Sequence, residues 1–120
     1  MAPAFCSRDL DRTSEFWGAL GFNESRWYED HGSLILEHPM GIVIHVGLAP
    51  DLVPSENMTN ASLGFATSDE AVALHDEWAP NVAEYGKVTE PHETFYGFTE
   101  WALLDPDSNL LRVGGRPEPD

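Results

Sequence analysis

The sequence predicts an α+β fold built from two βαβββ modules whose small sheets form one cup-shaped, mixed surface. Each half of the chain reads strand, helix and then two or three strands, in the same order. A stretch at 48–59 with two prolines separates the halves. The 120 residues therefore form one domain, with module one at about 1–47 and module two at about 60–115. The helices lie outside the cup.

The first module opens with a strand and a helix. Residues 1–6 suit an edge strand, because the proline at position 3 has no N–H to donate. Asp9 or Asp11 can cap the helix that follows. Gly21 ends this helix, and Phe22 can fold back on its last turn. Apolar spacing places four residues on one helix face: Thr13, Phe16, Trp17 and Leu20.

Three short strands complete the first module, at 24–28, 33–37 and 41–46. Turn residues separate them. His45 lies on the mixed face of the third strand. Its core-like face carries Ile42, Ile44 and Val46.

The second module repeats the pattern. A strand is predicted at 60–66, and Thr67 and Glu70 have the spacing of a capping box. The helix that they begin ends before Pro80. Its apolar face carries Ala71, Leu74 and Trp78.

A hairpin closes the second module. A short strand at 85–88 and a long loop at 89–97 lead into it. Strands are predicted at 98–104 and 110–113. Between them the sequence Asp-Pro-Asp-Ser-Asn at 105–109 favours a tight turn.

Composition narrows the choice of partner and compartment. Twenty-one acidic residues against 6 basic ones give a net charge of -15, which disfavours nucleic acid and anionic membranes. Cationic partners are favoured, although acidity that serves only solubility is an open alternative. The single Cys6 and the absence of a leader or a membrane-length apolar run predict a cytoplasmic protein.

No enzyme motif stands out. His31, His38, His75 and His92 lack ligand spacing and are interpreted as surface residues. His45 alone is either an interior histidine or a ligand. The chain has no G-x-S-x-G motif and no glycine-rich phosphate loop, and Cys6 has no histidine beside it in sequence.

Aromatic residues give the stronger indication of function. Trp27 and Tyr28 lie in a predicted strand, and further aromatic residues lie in the loop and strand around Tyr96. Rings in such places can stack on planar ligands or attract cations. Glu100 needs a partner or a cation if its strand is buried. Core or dimer-interface packing is the alternative, above all for Trp101.

Three segments resemble a known group of proteins: SRDLDRTSEFWGALGF, NASLGFATSDEAVALHDEW and YGFTEWALLDPDSNLLRV. Their order and spacing are similar to the vicinal oxygen chelate superfamily, and within it to the bleomycin resistance proteins. The resemblance implies the glyoxalase/bleomycin resistance fold and a homodimer, often with its first strand exchanged between subunits.

Enzymes of this superfamily hold a divalent metal in the cup with four side chains. The resemblance places these positions near Ala2 or Pro3, at His45, near Ser62 and at Arg112. Only His45 is a good ligand, and a cation such as Arg112 opposes a metal. The resemblance therefore implies that the metal site is missing and that no cofactor is bound.

The function implied by the resemblance is sequestration of a bleomycin-type antibiotic, metal-free or metal-bound, without modification. These drugs are cationic glycopeptides with a flat bithiazole, and they bind in grooves at the dimer interface. Stacking and charge complementarity are expected from Trp27, Tyr28, Asp30, Tyr96, Phe98, Glu100 and Trp101. The alternatives are a metal-dependent lyase, dioxygenase or thiol transferase of the superfamily, and a binder of another small aromatic compound.

Overall fold

The first sheet is built from the first half of the chain. The computed structural model describes residues 4–25 and 32–117. The sheet has the order β1-β4-β3-β2, with β1 parallel to β4 and the other neighbours antiparallel. In this single chain β1 pairs with its own sheet. Its elements are β1 (Ala4–Ser7), α1 (Leu10–Gly18), β2 (Asn23–Ser25), β3 (Ser33–Glu37) and β4 (Val43–Leu48).

The second sheet repeats this arrangement. Its order is β5-β9-β8-β6, with β7 also paired to β8, and β5 runs parallel to β9 as β1 does to β4. The predicted α+β fold with two small mixed sheets is confirmed. Its elements are β5 (Asn60–Phe65), α2 (Ser68–Trp78), β6 (Lys87–Val88), β7 (His92–Glu93), β8 (Thr99–Leu104) and β9 (Leu110–Gly115).

The ends of α1 follow from its sequence. Asp9 is the cap, because its side chain accepts hydrogen bonds from the N–H groups of Asp11 and Arg12. At the other end Gly21 has a φ of 100°, which a residue with a side chain rarely adopts. The N–H of Phe22 then donates to the carbonyl of Trp17 at 3.2 Å, and the two rings meet edge to face. The predicted left-handed conformation of Gly21 is confirmed, although the helix itself already ends at Gly18.

The start of α2 is held in two ways. Thr67 Oγ1 accepts a hydrogen bond from the N–H of Glu70 at 3.2 Å, as the predicted capping box requires. The end of β9 also packs against this turn. A Cβ atom at Gly115 would lie 2.2 Å from the carbonyl oxygen of Thr67, so only glycine fits there. Neither helix of the described ranges is long and apolar enough to cross a membrane.

The helices cover one face of the sheets and form a common core with it. All the predicted apolar residues of both helix faces are buried: Thr13, Phe16, Trp17, Leu20, Ala71, Leu74 and Trp78. Trp101 of β8 is buried in the same core as Trp17 and Trp78. This leaves the opposite face of each sheet open.

Several local predictions need correction. The strand predicted at 41–46 is Val43–Leu48, and the strand predicted at 85–88 shortens to Lys87–Val88. The loop predicted at 89–97 contains β7, because two of its residues pair with β8. Part of the strand predicted at 24–28 falls outside the described residues. His75, predicted at the surface, is only 6% exposed.

His75 is buried because its ring packs on a core tryptophan. The ring centroids of His75 and Trp101 are 5.3 Å apart, nearly perpendicular to each other. Its Nδ1 lies 3.2 Å from the carboxylate of Asp76. Position 75 follows Leu74 and precedes Trp78 by three residues, at the edge of the apolar helix face. Helical spacing alone therefore did not decide whether His75 is buried or exposed.

Candidate ligand-binding site

The tip of the β7–β8 hairpin is a short, closed turn. The N–H of Thr94 donates to the carbonyl of Phe98 at 2.7 Å, and the N–H of Gly97 donates to the carbonyl of Thr94 at 3.0 Å. The hydroxyl of Thr94 also accepts from the N–H of Phe98 at 3.1 Å. Gly97 has a φ of 85°, which favours glycine. Backbone hydrogen bonds therefore hold the residues between Thr94 and Phe98 in a fixed arrangement.

This turn presents three aromatic rings in series. The ring centroids of Phe95 and Tyr96 are 4.9 Å apart at an angle of 85°, and those of Tyr96 and Phe98 are 5.5 Å apart at 60°. Phe95 is 100% exposed and Tyr96 is 51% exposed. Three neighbouring rings, two of them largely exposed, form an apolar patch that makes this turn a candidate contact surface.

A cavity of about 660 Å³ lies beside these rings, on the open face of the second sheet. Its size falls within the range of small-molecule sites. Three residues predicted for the site, Tyr96, Phe98 and Glu100, meet in its wall. Residues of β5 and β9, and the residues that follow these strands, complete the lining: Ser62, Leu63, Gly64, Phe65, Ala66, Arg112, Val113, Gly114 and Arg116.

Tyr96 and Glu100 form a hydrogen-bonded pair in this wall. The phenol hydroxyl donates to Glu100 Oε2 at 2.5 Å. This hydrogen bond, with help from partial desolvation and the negative charge of Glu100, raises the pKa of Tyr96 above 10.0. The phenol therefore stays neutral at physiological pH. Glu100 thus has a local donor and does not depend on a bound cation for its partner.

Trp101 lies on the opposite face of β8 from Glu100. It is 1% exposed, and its indole N–H donates to the carbonyl of Ala71 at 2.8 Å. Successive residues of a strand point to opposite faces, so Trp101 cannot reach the cavity that Glu100 lines. The stacking role predicted for Trp101 is therefore corrected to a structural one, between the sheet and α2.

Solved structures resemble this chain over nearly its whole length. A bleomycin resistance determinant encoded on the transposon Tn5 has 26% sequence identity and a TM-score of 0.80, covering 97% of this chain and 96% of its own. A bleomycin-binding protein complexed with bleomycin has 26% identity and a TM-score of 0.81, with 97% coverage of each chain.

This chain has the glyoxalase/bleomycin resistance fold. A third structure shares that fold at 24% identity and a TM-score of 0.72: the bleomycin-binding protein from bleomycin-producing Streptomyces verticillus complexed with copper(II)-bleomycin, covering 98% of this chain and 95% of its own. Neither a protein-family model nor a curated protein sequence matches the chain.

The positions that the resemblance assigned to metal ligands lie on two different sheets where the structure describes them. His45 is exposed on β4 and lines a smaller cavity of about 330 Å³ on the first sheet. Ser62 and Arg112 are paired neighbours on β5 and β9 of the second sheet. Ala2 and Pro3 fall outside the described residues. Within residues 4–25 and 32–117, no three His, Cys, Asp or Glu side chains cluster as metal ligands do.

The first-module half of the predicted site is not described. Trp27, Tyr28 and Asp30 all lie in the range 26–31, outside the described residues. Their roles therefore remain predictions. In the second module, Tyr96, Phe98 and Glu100 line one cavity, and their roles in ligand binding also remain predictions.

Nine cavity residues were not predicted as ligand-binding residues from the sequence: Ser62, Leu63, Gly64, Phe65, Ala66, Arg112, Val113, Gly114 and Arg116. Strand alternation could have indicated three of these residues. Arg112, Gly114 and Arg116 alternate along β9 and its end, so they share the open face of the sheet. The buried residues between them share the core face.

Proposed function

We propose that this protein binds a bleomycin-type antibiotic and sequesters it without modifying it. The exposed aromatic turn beside a cavity of ligand size carries this proposal. Phe95 and Tyr96 present ring faces and edges to solvent, and a flat bithiazole is a suitable partner for such rings. The two structural relatives at 26% identity, a bleomycin resistance determinant and a bleomycin-binding protein, support the same ligand.

Charge supports the proposal over a longer range. The net charge of -15 attracts a cationic drug and steers it to the protein. Glu100, in the cavity wall beside Tyr96, adds to this negative field without binding a cationic group directly. Asp30 is proposed for the same role on the first module.

A homodimer completes the proposed groove. A second subunit would cover the open faces of the sheets and the exposed aromatic turn. In this proposal Trp27 or Tyr28 supplies the second aromatic plane, and the bithiazole stacks between that plane and the aromatic turn. The first strand pairs with its own sheet here, so its exchange between subunits is a separate proposal.

Isothermal titration calorimetry with bleomycin tests the proposal directly. We expect saturable binding at micromolar or lower drug concentration, both metal-free and with copper, and unchanged drug by mass spectrometry afterwards. Tryptophan emission reports on fewer contacts than calorimetry does, because Trp17, Trp78 and Trp101 are buried. Trp27 is the tryptophan proposed to contact the drug. Absence of saturable heat would contradict the proposal. Chemical conversion of the drug, or stoichiometric metal in the purified protein, would favour a metal-dependent enzyme instead.

Replacing Tyr96 by alanine should weaken drug binding about tenfold, because one stacking contact of roughly 1 to 2 kcal/mol is lost. Stability should change little, since the ring is half exposed. Tyr85→Ala is the matched control: Tyr85 is 49% exposed against 51% for Tyr96, but it does not line the cavity. Calorimetry compares the two variants. Equal affinities would exclude a role for Tyr96.

A further inference from the structure

Two glycines form the floor of the cavity. Gly64 on β5 and Gly114 on β9 are paired in register. Neither has the positive φ that requires glycine. A Cβ atom at Gly64 would meet nothing within 4 Å. Glycine in the middle of a strand weakens the strand, so what these two residues provide is bare backbone that a ligand can approach closely.

Two arginines flank this floor. Arg112 and Arg116 lie two residues before and after Gly114, so they share its face of the sheet, and both line the cavity. About 13 Å separates such positions along an extended strand, which leaves room for a flat group between them. In the described part of the chain, neither guanidinium is within ion-pair distance of a carboxylate. By contrast, Arg8 and Arg12 both bind Asp107.

The cavity therefore has a local charge opposite to that of the protein. The chain has 21 acidic and 6 basic residues, yet the cavity lining contains two arginines and only one carboxylate, Glu100. That carboxylate already accepts the hydrogen bond of Tyr96. Unpaired guanidinium groups bind carbonyl and carboxylate oxygens strongly, often through two parallel hydrogen bonds. A cationic group would be repelled from the same floor.

We propose that the floor formed by Gly64 and Gly114 takes a flat ligand group that carries carbonyl or carboxylate oxygens, and that Arg112 and Arg116 bind those oxygens. The aromatic residues Tyr96 and Phe98 lie alongside. This inference rests on the proposed function for the position of the ligand. It assigns the flat, acceptor-bearing part of the ligand to the floor and leaves the cationic part outside, near the acidic surface.

Benzoate and benzamidine are suitable probes, because they have the same flat shape and opposite charge. Amide NMR signals of Gly64 and Gly114 report on the floor. We expect benzoate to shift both signals saturably, with benzamidine leaving them in place. Arg112→Gln should weaken benzoate binding about tenfold, the loss of one charge-assisted hydrogen bond. Shifts by benzamidine equal to those by benzoate would overturn the inference.

Gly64→Val fills the floor and should abolish benzoate binding while keeping the fold, since valine suits a strand and its Cβ position is open. Gly18→Ala, at an equally open position on α1, is the control and should bind as wild type does. Thermal unfolding and sedimentation confirm fold and oligomeric state. If the valine variant does not fold, Gly64→Ala and Arg112→Gln provide the same comparison. Undiminished benzoate binding by folded Gly64→Val would also overturn the inference.

Bleomycin titrations of the same variants separate this inference from the proposed function. If the wild type binds the drug and Gly64→Val binds it at least tenfold more weakly, the result supports both the proposed function and this inference. Drug binding at full affinity by Gly64→Val contradicts the inference and leaves the proposed function standing. Binding of benzoate but not of the drug supports the inference and rejects bleomycin as the ligand. If neither compound binds, both proposals fail.

Discussion

Replacing Asp107 by alanine is expected to lower the free energy of unfolding by about 2 to 3 kcal/mol, because the buried carboxylate joins groups that would be left without a partner. Asp107 is fully buried. It accepts hydrogen bonds from Arg8 Nε at 2.8 Å and Arg12 Nη2 at 3.1 Å. Both arginines are about one-third exposed, so water compensates part of the loss and the expected effect lies below that of a fully buried pair.

Urea unfolding followed by circular dichroism measures this effect. Asp51→Ala is the control, because Asp51 is an exposed carboxylate in the segment between the two sheets. Its unfolding midpoint should stay close to that of the wild type. Asp107→Asn should fall between the two, since it keeps the volume and one acceptor but loses the charge. Coincident midpoints for Asp107→Ala and Asp51→Ala would show that the ion pairs contribute nothing measurable.

Asp107 belongs to the acidic turn at 105–109, and this turn connects the two sheets. Asn109 is fully buried, and its amide accepts from the N–H of Cys6 at 3.1 Å and donates to the carbonyl of Cys6 at 2.7 Å. Asn57, from the segment between the modules, donates to the carbonyl of Asp107 at 2.8 Å. The turn of the second sheet is thus hydrogen-bonded to the first strand of the other sheet. Its side chains are constrained by this contact as well as by the turn itself.

The elements of this fold could be predicted from local patterns. Both helices show apolar residues at helical spacing and clear caps, and these depend on residues within about four positions of each other. The partners of the acidic turn could not be predicted in the same way. Cys6 and Asn109 are 103 residues apart, and Arg8 and Asp107 are 99 apart. Sequence spacing carries no information about contacts at that distance.

The candidate site was predictable only where its residues lie close together in sequence. Tyr96 and Glu100 were both predicted for the site, and they line one cavity because they lie in one hairpin. Trp101 was grouped with them although it follows Glu100 directly in a strand, where alternation puts neighbours on opposite faces. Arg116 was missed because it lies beyond the last predicted strand. The cavity only becomes apparent once β5 is paired with β9, which brings Gly64 opposite Gly114.

The charge of the protein acts on two length scales in the proposed function. At long range the net charge of -15 attracts a cationic drug and raises its rate of association. At contact range the two arginines that line the cavity reverse the local sign of charge, and we propose that they select the acceptor-bearing part of the ligand. Long-range attraction is screened by salt within about 10 Å, whereas partly enclosed contacts are screened less. Orientation of the ligand should therefore be less sensitive to salt than its association rate.

Asp105 should make folding stability depend on pH in a way that an asparagine at this position would not. Asp105 is 3% exposed, and burial raises its pKa from 3.8 to about 6. Hydrogen bonds from the N–H groups of Asp107 and Asn109 and from the Asn109 side chain oppose this rise but do not cancel it. The folded protein thus binds a proton at Asp105 more tightly than the unfolded chain does.

The sign of the effect follows from this difference. The stability that the protonated carboxyl contributes is fully present below pH about 4 and is lost as the pH rises through about 6. A pKa difference of about two units corresponds to about 3 kcal/mol. The free energy of unfolding of the wild type minus that of Asp105→Asn should therefore fall by about this amount between pH 4 and pH 7. Urea unfolding at several pH values measures this fall.

The same subtraction for Asp51→Asn, in an exposed position, should show no such fall. A constant difference for Asp105→Asn across this range would mean that the hydrogen bonds from Asn109 and Asp107 hold the pKa of Asp105 near its ordinary value.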